Sequence, residues 1–286
     1  MFDTLRPLLE HAVDRWRRLS AADAAAGCCY ELEMRVGLCV DARERRVAPT
    51  PTTPTTTFVS NVNDSLFYGT FEALARRATS VTPLVRSKHG RYDAFPGCRR
   101  DLANDTWARK RTLSVSDHAG RPFWFDVRLS LAAETSIDEP DAVREGRAIA
   151  RRIRMPLQNE RTRGAYPSSE RARERRSLVF ADAPSWRLDF TRVAMSCIRR
   201  MHTGAGDDDG MQYGYDATPA NTLELELECV ADADTADTAS IVADATTLLE
   251  RVATALGTSL AAIRRRIDAD RERYDRAHST MGTWSI

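Results

Sequence analysis

Lysine is almost missing from this chain. Of 42 basic residues, only Lys88 and Lys110 are lysines and the rest are arginines. We read that bias as coding usage and not as function. No run of 18 apolar residues occurs, so no membrane-spanning helix is expected. The six cysteines, Cys28, Cys29, Cys39, Cys98, Cys197 and Cys229, form no CxxC pair and no zinc-ligand spacing. Cys28 and Cys29 are adjacent, which suits no ordinary disulfide, and several of the others sit in apolar runs, where a free thiol behaves as a small hydrophobe. A reducing compartment is expected, and nothing points to a cysteine phosphatase. The start, MFDTLRPLLEHAVDRW, is charged and periodic and lacks the apolar segment of a signal peptide, so secretion is not expected.

The net charge of +1 names no partner, but its distribution is uneven. Between Arg144 and Arg176 there are eleven arginines and four acids; between Thr203 and Leu249 there are eleven acids and no Lys or Arg. A chain so segregated can set a positive region against a negative one. Apolar content of 42% and charged content of 29% are ordinary for a folded domain with a core.

Residues 221–230 read NTLELELECV. Side chains alternate along a strand, so Glu224, Glu226 and Glu228 share one face and Leu223, Leu225 and Leu227 the other. Three carboxylates spaced about 6.6–7 Å apart need compensation by a divalent cation, by arginines, or by both. A similar strand, YELEMRVGLCV at 30–40, puts Glu31, Glu33 and Arg35 on one face. Polar strand faces are usually just solvated or laced by cross-strand ion pairs. Two acidic faces far apart in sequence, with basic segments between them, favour a shared site.

The rest of the chain frames these strands. An amphipathic helix is expected over 2–26 and another near 66–77. The PTPTTPTTT stretch at 49–57 has loop composition, and 90–103 reads as loop. From Trp107 onward strands dominate: WARKRTLSVS at 107–116, FWFDVRLSLAAE at 123–134, RERRSLVFA at 173–181 and WRLDFTRVAM at 186–195, with HAGRP at 118–122 and 182–185 as turns. A helix is expected over 138–153, a mobile polar stretch over 154–171, and two helices at 239–256 and 259–277. GDDDG at 206–210 reads as a solvated turn, because a calcium loop needs more ligands at set spacing. The fold class is α+β: a closed antiparallel β-barrel with a charged lumen, packed by N- and C-terminal helices. A single domain, 1–286, is expected, since its two acidic strands must share one site. A helix fills 1–27, and the barrel spans 28–230 with an insertion at 135–169.

The chemistry follows from the donors. Two carboxylates from one strand and one from the other suit a hard cation such as Mg²⁺ or Mn²⁺, at about 2.0–2.2 Å. Arginine forks in the same lumen grip phosphate oxygens. A metal, arginines and a spare carboxylate are equipment for phosphoryl transfer to water.

ELEMRVG at 31–37 and LELELE at 223–228 resemble the first and last signature strands of the metal-dependent RNA 5′-triphosphatases of mRNA capping, of the fungal and protozoal type, within the triphosphate tunnel metalloenzymes. KRTLSVSD at 110–117, FDVRLSLAAE at 125–134, and RERRSLVF with WRLDFTRV are similar to the intervening motifs, in order. The resemblance spans about 28–230. It implies metal held by Glu31, Glu33 and Glu228, water oriented by Glu226, and Glu224 bracing basic side chains. It further implies that Arg111, Arg173 and Arg175, with Arg128 beside them, bind the triphosphate, and that Glu134 and Asp189 position those arginines. The implied cofactor is Mg²⁺ or Mn²⁺. The implied substrate is the 5′-triphosphate end of nascent RNA, the compartment the nucleus, and a candidate partner a capping guanylyltransferase. Inorganic, thiamine or nucleoside triphosphate is an alternative substrate, and a silent binding module for polyphosphate or RNA ends is a third reading.

Overall fold

The alternation of 30–40 and 221–230 is realised as two strands lying side by side. The structure, a computed structural model, describes residues 5–22, 28–41, 43, 57–92, 95–118, 125–152, 167–202, 211–215 and 220–281. In chain order the elements are α1 (Arg6–Ala22), β1 (Cys28–Val40), β2 (Thr57–Val59), α2 (Asp64–Ala75), β3 (Ser80–Val81), β4 (Val85–Arg91), β5 (Cys98–Asp101), β6 (Trp107–His118), β7 (Asp126–Ile137), α3 (Asp141–Arg152), β8 (Ser169–Val179), β9 (Trp186–His202), β10 (Met211–Tyr215), β11 (Ala220–Cys229) and α4 (Thr238–Met281).

Eight strands close on themselves in the order β9, β11, β1, β7, β6, β5, β4, β8 and back to β9. Each of these pairings is antiparallel. β10 extends β9, β3 extends β8, and β2 pairs with the end of β1. Closure leaves the barrel strands no free edge along their paired lengths.

The apolar faces point outward, onto helices. Leu32, Met34 and Val36 of β1, Leu225 and Leu227 of β11, and Trp186 and Leu188 of β9 are buried against Ile241, Leu248, Leu249 and Val252 of α4 and Leu9 and Val13 of α1. Two indole hydrogen bonds anchor the helices: Trp186 Nε1 donates to the Ile241 carbonyl at 2.8 Å, and Trp16 Nε1 to the Tyr30 carbonyl at 2.9 Å. Trimming one such fully buried leucine to alanine costs about 2–5 kcal/mol. The inside of the barrel is left to the charged faces. Asn63 caps α2, its side chain accepting from the Ser65 amide.

Four expectations are corrected. The two C-terminal helices are one, α4, because Gly257 is only a weak breaker within an otherwise helical run. The loop expected over 90–103 contains the end of β4 and all of β5; a four-residue strand is too short to show alternation. Residues 169–171, expected within a mobile stretch, form the start of β8, and β7 runs on to Ile137, into the expected insertion. Finally, β6 has a bulge between Thr112 and Ser114, which breaks strict alternation. The loops at 49–56, 119–122 and 206–210, and residues 153–166, lie outside the described residues.

Candidate active site

β1 and β11 meet with Glu33 opposite Glu228 and Arg35 opposite Glu226. The two sequence-distant acidic faces thus form one surface inside the barrel. β8 and β9 supply the facing wall: Arg175 lies opposite Thr191, Arg173 opposite Val193 and Ser177 opposite Asp189. A cavity of about 580 Å³ opens inside the barrel, lined among others by Glu33 and Arg35 of β1, Arg99 of β5, Lys110 of β6 and Arg171 and Arg173 of β8.

Every carboxylate named from the sequence meets a cation. Lys110 Nζ contacts Glu31 and lies 3.9 Å from Glu33 Oε2. Glu33 also accepts from the Ser130 hydroxyl at 2.9 Å and pairs with Arg35 at 3.2 Å. Arg171 grips both oxygens of Glu224, at 2.8 and 2.7 Å. Asp189, 1% exposed, holds Arg175 at 3.1 Å and both ends of the Arg187 fork at 2.8 and 3.1 Å. Arg187 also contacts Glu228, and Arg175 lies 3.7 Å from it. Glu134 holds Arg99.

Glu226 is the least satisfied of them. Arg35 Nε lies 2.8 Å from Glu226 Oε1, yet neither atom has a hydrogen-bond partner, so the contact is an ion pair without hydrogen-bond geometry. Burial raises the Glu226 carboxyl above the usual carboxylate range; Arg35 opposes this, while Glu33 and Glu224 add to it. Burial also raises Glu228; Arg187 opposes, and the nearby charges of Asp189 and Glu31 push it further up. Glu33 goes the other way. Burial works to raise it, but Arg35, Lys110 and the Ser130 hydrogen bond together outweigh that.

Arg173 is the converse case. Its Nε is buried without a hydrogen-bond partner, and no ion pair reaches it among the described residues. Burial, then the neighbouring charge of Arg171, lowers its guanidinium to about 10. A cation held this way needs an anion in the lumen.

Most of the residues singled out from sequence come together here, with two exceptions. Arg111 is exposed, on the opposite face of β6 from Lys110. The expected register is therefore corrected, and Lys110 occupies the lumen position given to Arg111. Arg128 does line the cavity, but its fork is taken by Asp117 at 2.6 and 2.8 Å, and its guanidinium lies 4.6 Å from the centre of the Phe58 ring. Sequence reasoning gave no role to Arg35, Arg99, Lys110 or Arg171. Arg171 was within reach, because the alternation of Arg173 and Arg175 continues back to it. Gly97, at φ +79°, immediately precedes β5, and its carbonyl accepts from the Lys110 amide at 2.9 Å, which fixes β5 beside β6.

The donor chemistry fits a hard divalent ion. Glu33 and Glu228 are cross-strand neighbours, and Glu31 raises the pKa of Glu228 through space, so Glu31, Glu33 and Glu228 crowd like charge that a cation relieves. As the side chains stand, each leans on Lys110, Arg35 or Arg187, and among the described residues no three acidic, His or Cys side chains are gathered for one ion.

No protein-family model matches the chain, and no curated protein matches it. Among solved structures it is similar to the Pct1 RNA triphosphatase of S. pombe, with 15% identity over 79% of this chain and 84% of that one, at a TM-score of 0.50. The same values hold for Pct1 in complex with the Spt5 CTD. The fold is a triphosphate tunnel. In this tunnel the acidic wall is β1 and β11, and the basic wall is β5, β6 and β8.

Proposed function

We propose that this chain is a divalent-metal-dependent triphosphatase that removes the γ-phosphate from the 5′-triphosphate end of RNA. The observation that carries this reading is Arg173, a half-buried guanidinium with no ion-pair partner among the described residues, in a lumen it shares with Arg171, Arg99 and Lys110. Such a wall calls for a polyanion. The likeness in fold to an RNA triphosphatase supports the reading.

Glu31, Glu33 and Glu228 are the residues to hold Mg²⁺ or Mn²⁺, which when bound supplies charge neutralisation on the phosphoryl oxygens. Arg173 and Arg175 clamp the triphosphate, and Lys110 takes the part first given to Arg111. Asp189 and Glu134 hold Arg175 and Arg99 in place, and Glu224 holds Arg171. Glu226 orients the attacking water. Water's oxygen bonds to the γ-phosphorus, the bond to the β–γ bridging oxygen breaks, and Glu226 accepts the proton. Burial raises its pKa above the usual carboxylate range, which makes it a stronger base than an ordinary carboxylate. The products are a 5′-diphosphate end and phosphate. That end is what a capping guanylyltransferase consumes, which makes such an enzyme the proposed partner and the nucleus the proposed compartment.

Phosphate release from triphosphate-ended RNA, ATP and inorganic triphosphate, with Mg²⁺ or Mn²⁺, tests this. RNA as the preferred substrate supports the proposal. Preference for inorganic triphosphate or ATP moves the enzyme to the alternative substrate class, and release from none of them removes the activity.

A further inference from the structure

His89 lies in the middle of β4, between two charged cross-strand partners: Arg171 of β8 on one side and Asp101 of β5 on the other. Its inward orientation follows from its neighbours. Arg91, two residues on, lines the tunnel cavity, whereas Lys88 and Arg86 pair with Glu170 and Glu174 on the other face of β4 and β8. The groups that face the imidazole are Arg99 and Asp101 from β5 and Arg171 and Arg173 from β8. Three of these four are cations that line the cavity.

Among the buried polar atoms without a hydrogen-bond partner are His89 Nδ1 and, beside it across β4 and β8, Arg173 Nε. The partners of the surrounding groups are elsewhere, with Arg171 on Glu224 and Arg99 on Glu134. An unpartnered nitrogen behind a cluster of guanidiniums is either a cost to the fold or a group awaiting a ligand. Burial, followed by the charges of Arg99 and Arg173, disfavours the imidazolium here, while Asp101 alone favours it. A chain of phosphates seated on those arginines reverses the local field, since an anion within about 4–6 Å favours the charged form.

Resting on the triphosphatase reading above, we propose that His89 is a further phosphate-binding residue of the tunnel. It is neutral when the tunnel is empty, takes one proton from solvent as a triphosphate chain seats against Arg99, Arg171 and Arg173, and returns it when the products leave. The basic wall thereby gains one charge only while occupied.

The test is calorimetric binding of inorganic triphosphate in EDTA, in buffers of different ionisation enthalpy, with the native chain and with His89→Gln. Any protons taken up by the ligand itself cancel in the comparison. The expected result is an excess uptake of up to about one proton by the native chain near pH 7. Its affinity should also weaken by up to about tenfold per pH unit, relative to the variant, as pH rises above the free-histidine range. Equal proton uptake by the two proteins, with triphosphate bound by both, overturns this inference and leaves the triphosphatase reading standing. No binding by either overturns this inference, and the triphosphatase reading falls with it only if phosphate release with Mg²⁺ or Mn²⁺ fails as well. If His89→Gln does not fold, ¹⁵N imidazole shifts of the unsubstituted chain decide the matter. One of the five histidines should protonate at higher pH when triphosphate is added, and no such shift overturns the inference.

Discussion

Glu33 of β1 and Glu228 of β11 are direct cross-strand partners, which places their Cβ atoms about 4.5–5.5 Å apart. Like charges so placed destabilise the pairing unless cations intervene. Lys110 and Arg35 attend one, and Arg187 and Arg175 the other. The barrel closes through this acidic seam, so the seam is where substitutions separate catalysis from stability.

Glu228→Gln and Glu226→Gln should both lose activity, in different ways. Added Mn²⁺ should partly restore Glu228→Gln, because a ligand defect is an affinity defect. Glu226→Gln should stay about 10²–10⁴-fold down at any metal concentration, as expected for a lost general base. A metal titration of phosphate release distinguishes the two, and full activity in both ends the metalloenzyme reading.

The same two variants make a pH prediction. Both carboxyls are raised above the usual value by burial. Between the unfolded value near 4.5 and the higher folded one, the folded state binds more protons than the unfolded. Their contribution to stability is therefore present at low pH and lost as pH rises through that window. Metal-free melting curves at neutral pH should show neither variant less stable than the native chain, and the Glu226→Gln curve should depend less on pH. A fall in melting temperature at neutral pH contradicts this account.

Lys110→Ala should lower turnover, whereas Arg111→Ala should leave it near native. The first removes the cation that contacts Glu31 inside the tunnel; the second removes an exposed side chain on the outer face. Steady-state rates of the pair, measured together, check the β6 register, and the opposite ranking restores the sequence-based assignment.

Arg173→Ala and Asp189→Asn should move stability in opposite directions. The Arg173 charge is disfavoured at every pH below about 10, so its removal should raise the apo melting temperature while weakening triphosphate binding. Asp189→Asn leaves Arg175 and Arg187 without their shared carboxylate. Breaking a buried pair costs up to about 3–5 kcal/mol, reduced here because both arginines are partly exposed. Arg175→Ala should weaken triphosphate binding and leave the fold intact. Thermal melting with and without triphosphate reads all three, and an Arg173→Ala variant that melts lower and binds normally refutes the unpaired-cation argument.

Alternation by itself determined a good deal. The period of two along LELELE and ELEMR separated apolar from acidic faces, and from that came an inward-charged barrel and the grouping of Glu31, Glu33, Glu226 and Glu228 on one surface. The run Arg173, Arg175 was legible for the same reason. What the sequence left open depended on events that a local period does not encode. The bulge in β6 shifts register within one strand. The four residues of β5 are too few to show a pattern, so Arg99 was hidden. His89 was silent because its meaning comes from Arg99, Arg171 and Arg173, which two other strands bring to it. Faces are set by neighbours in the chain, through the pleat. Which faces meet, and which charge is left unpaired, is set by barrel closure, and that is a property of the whole molecule.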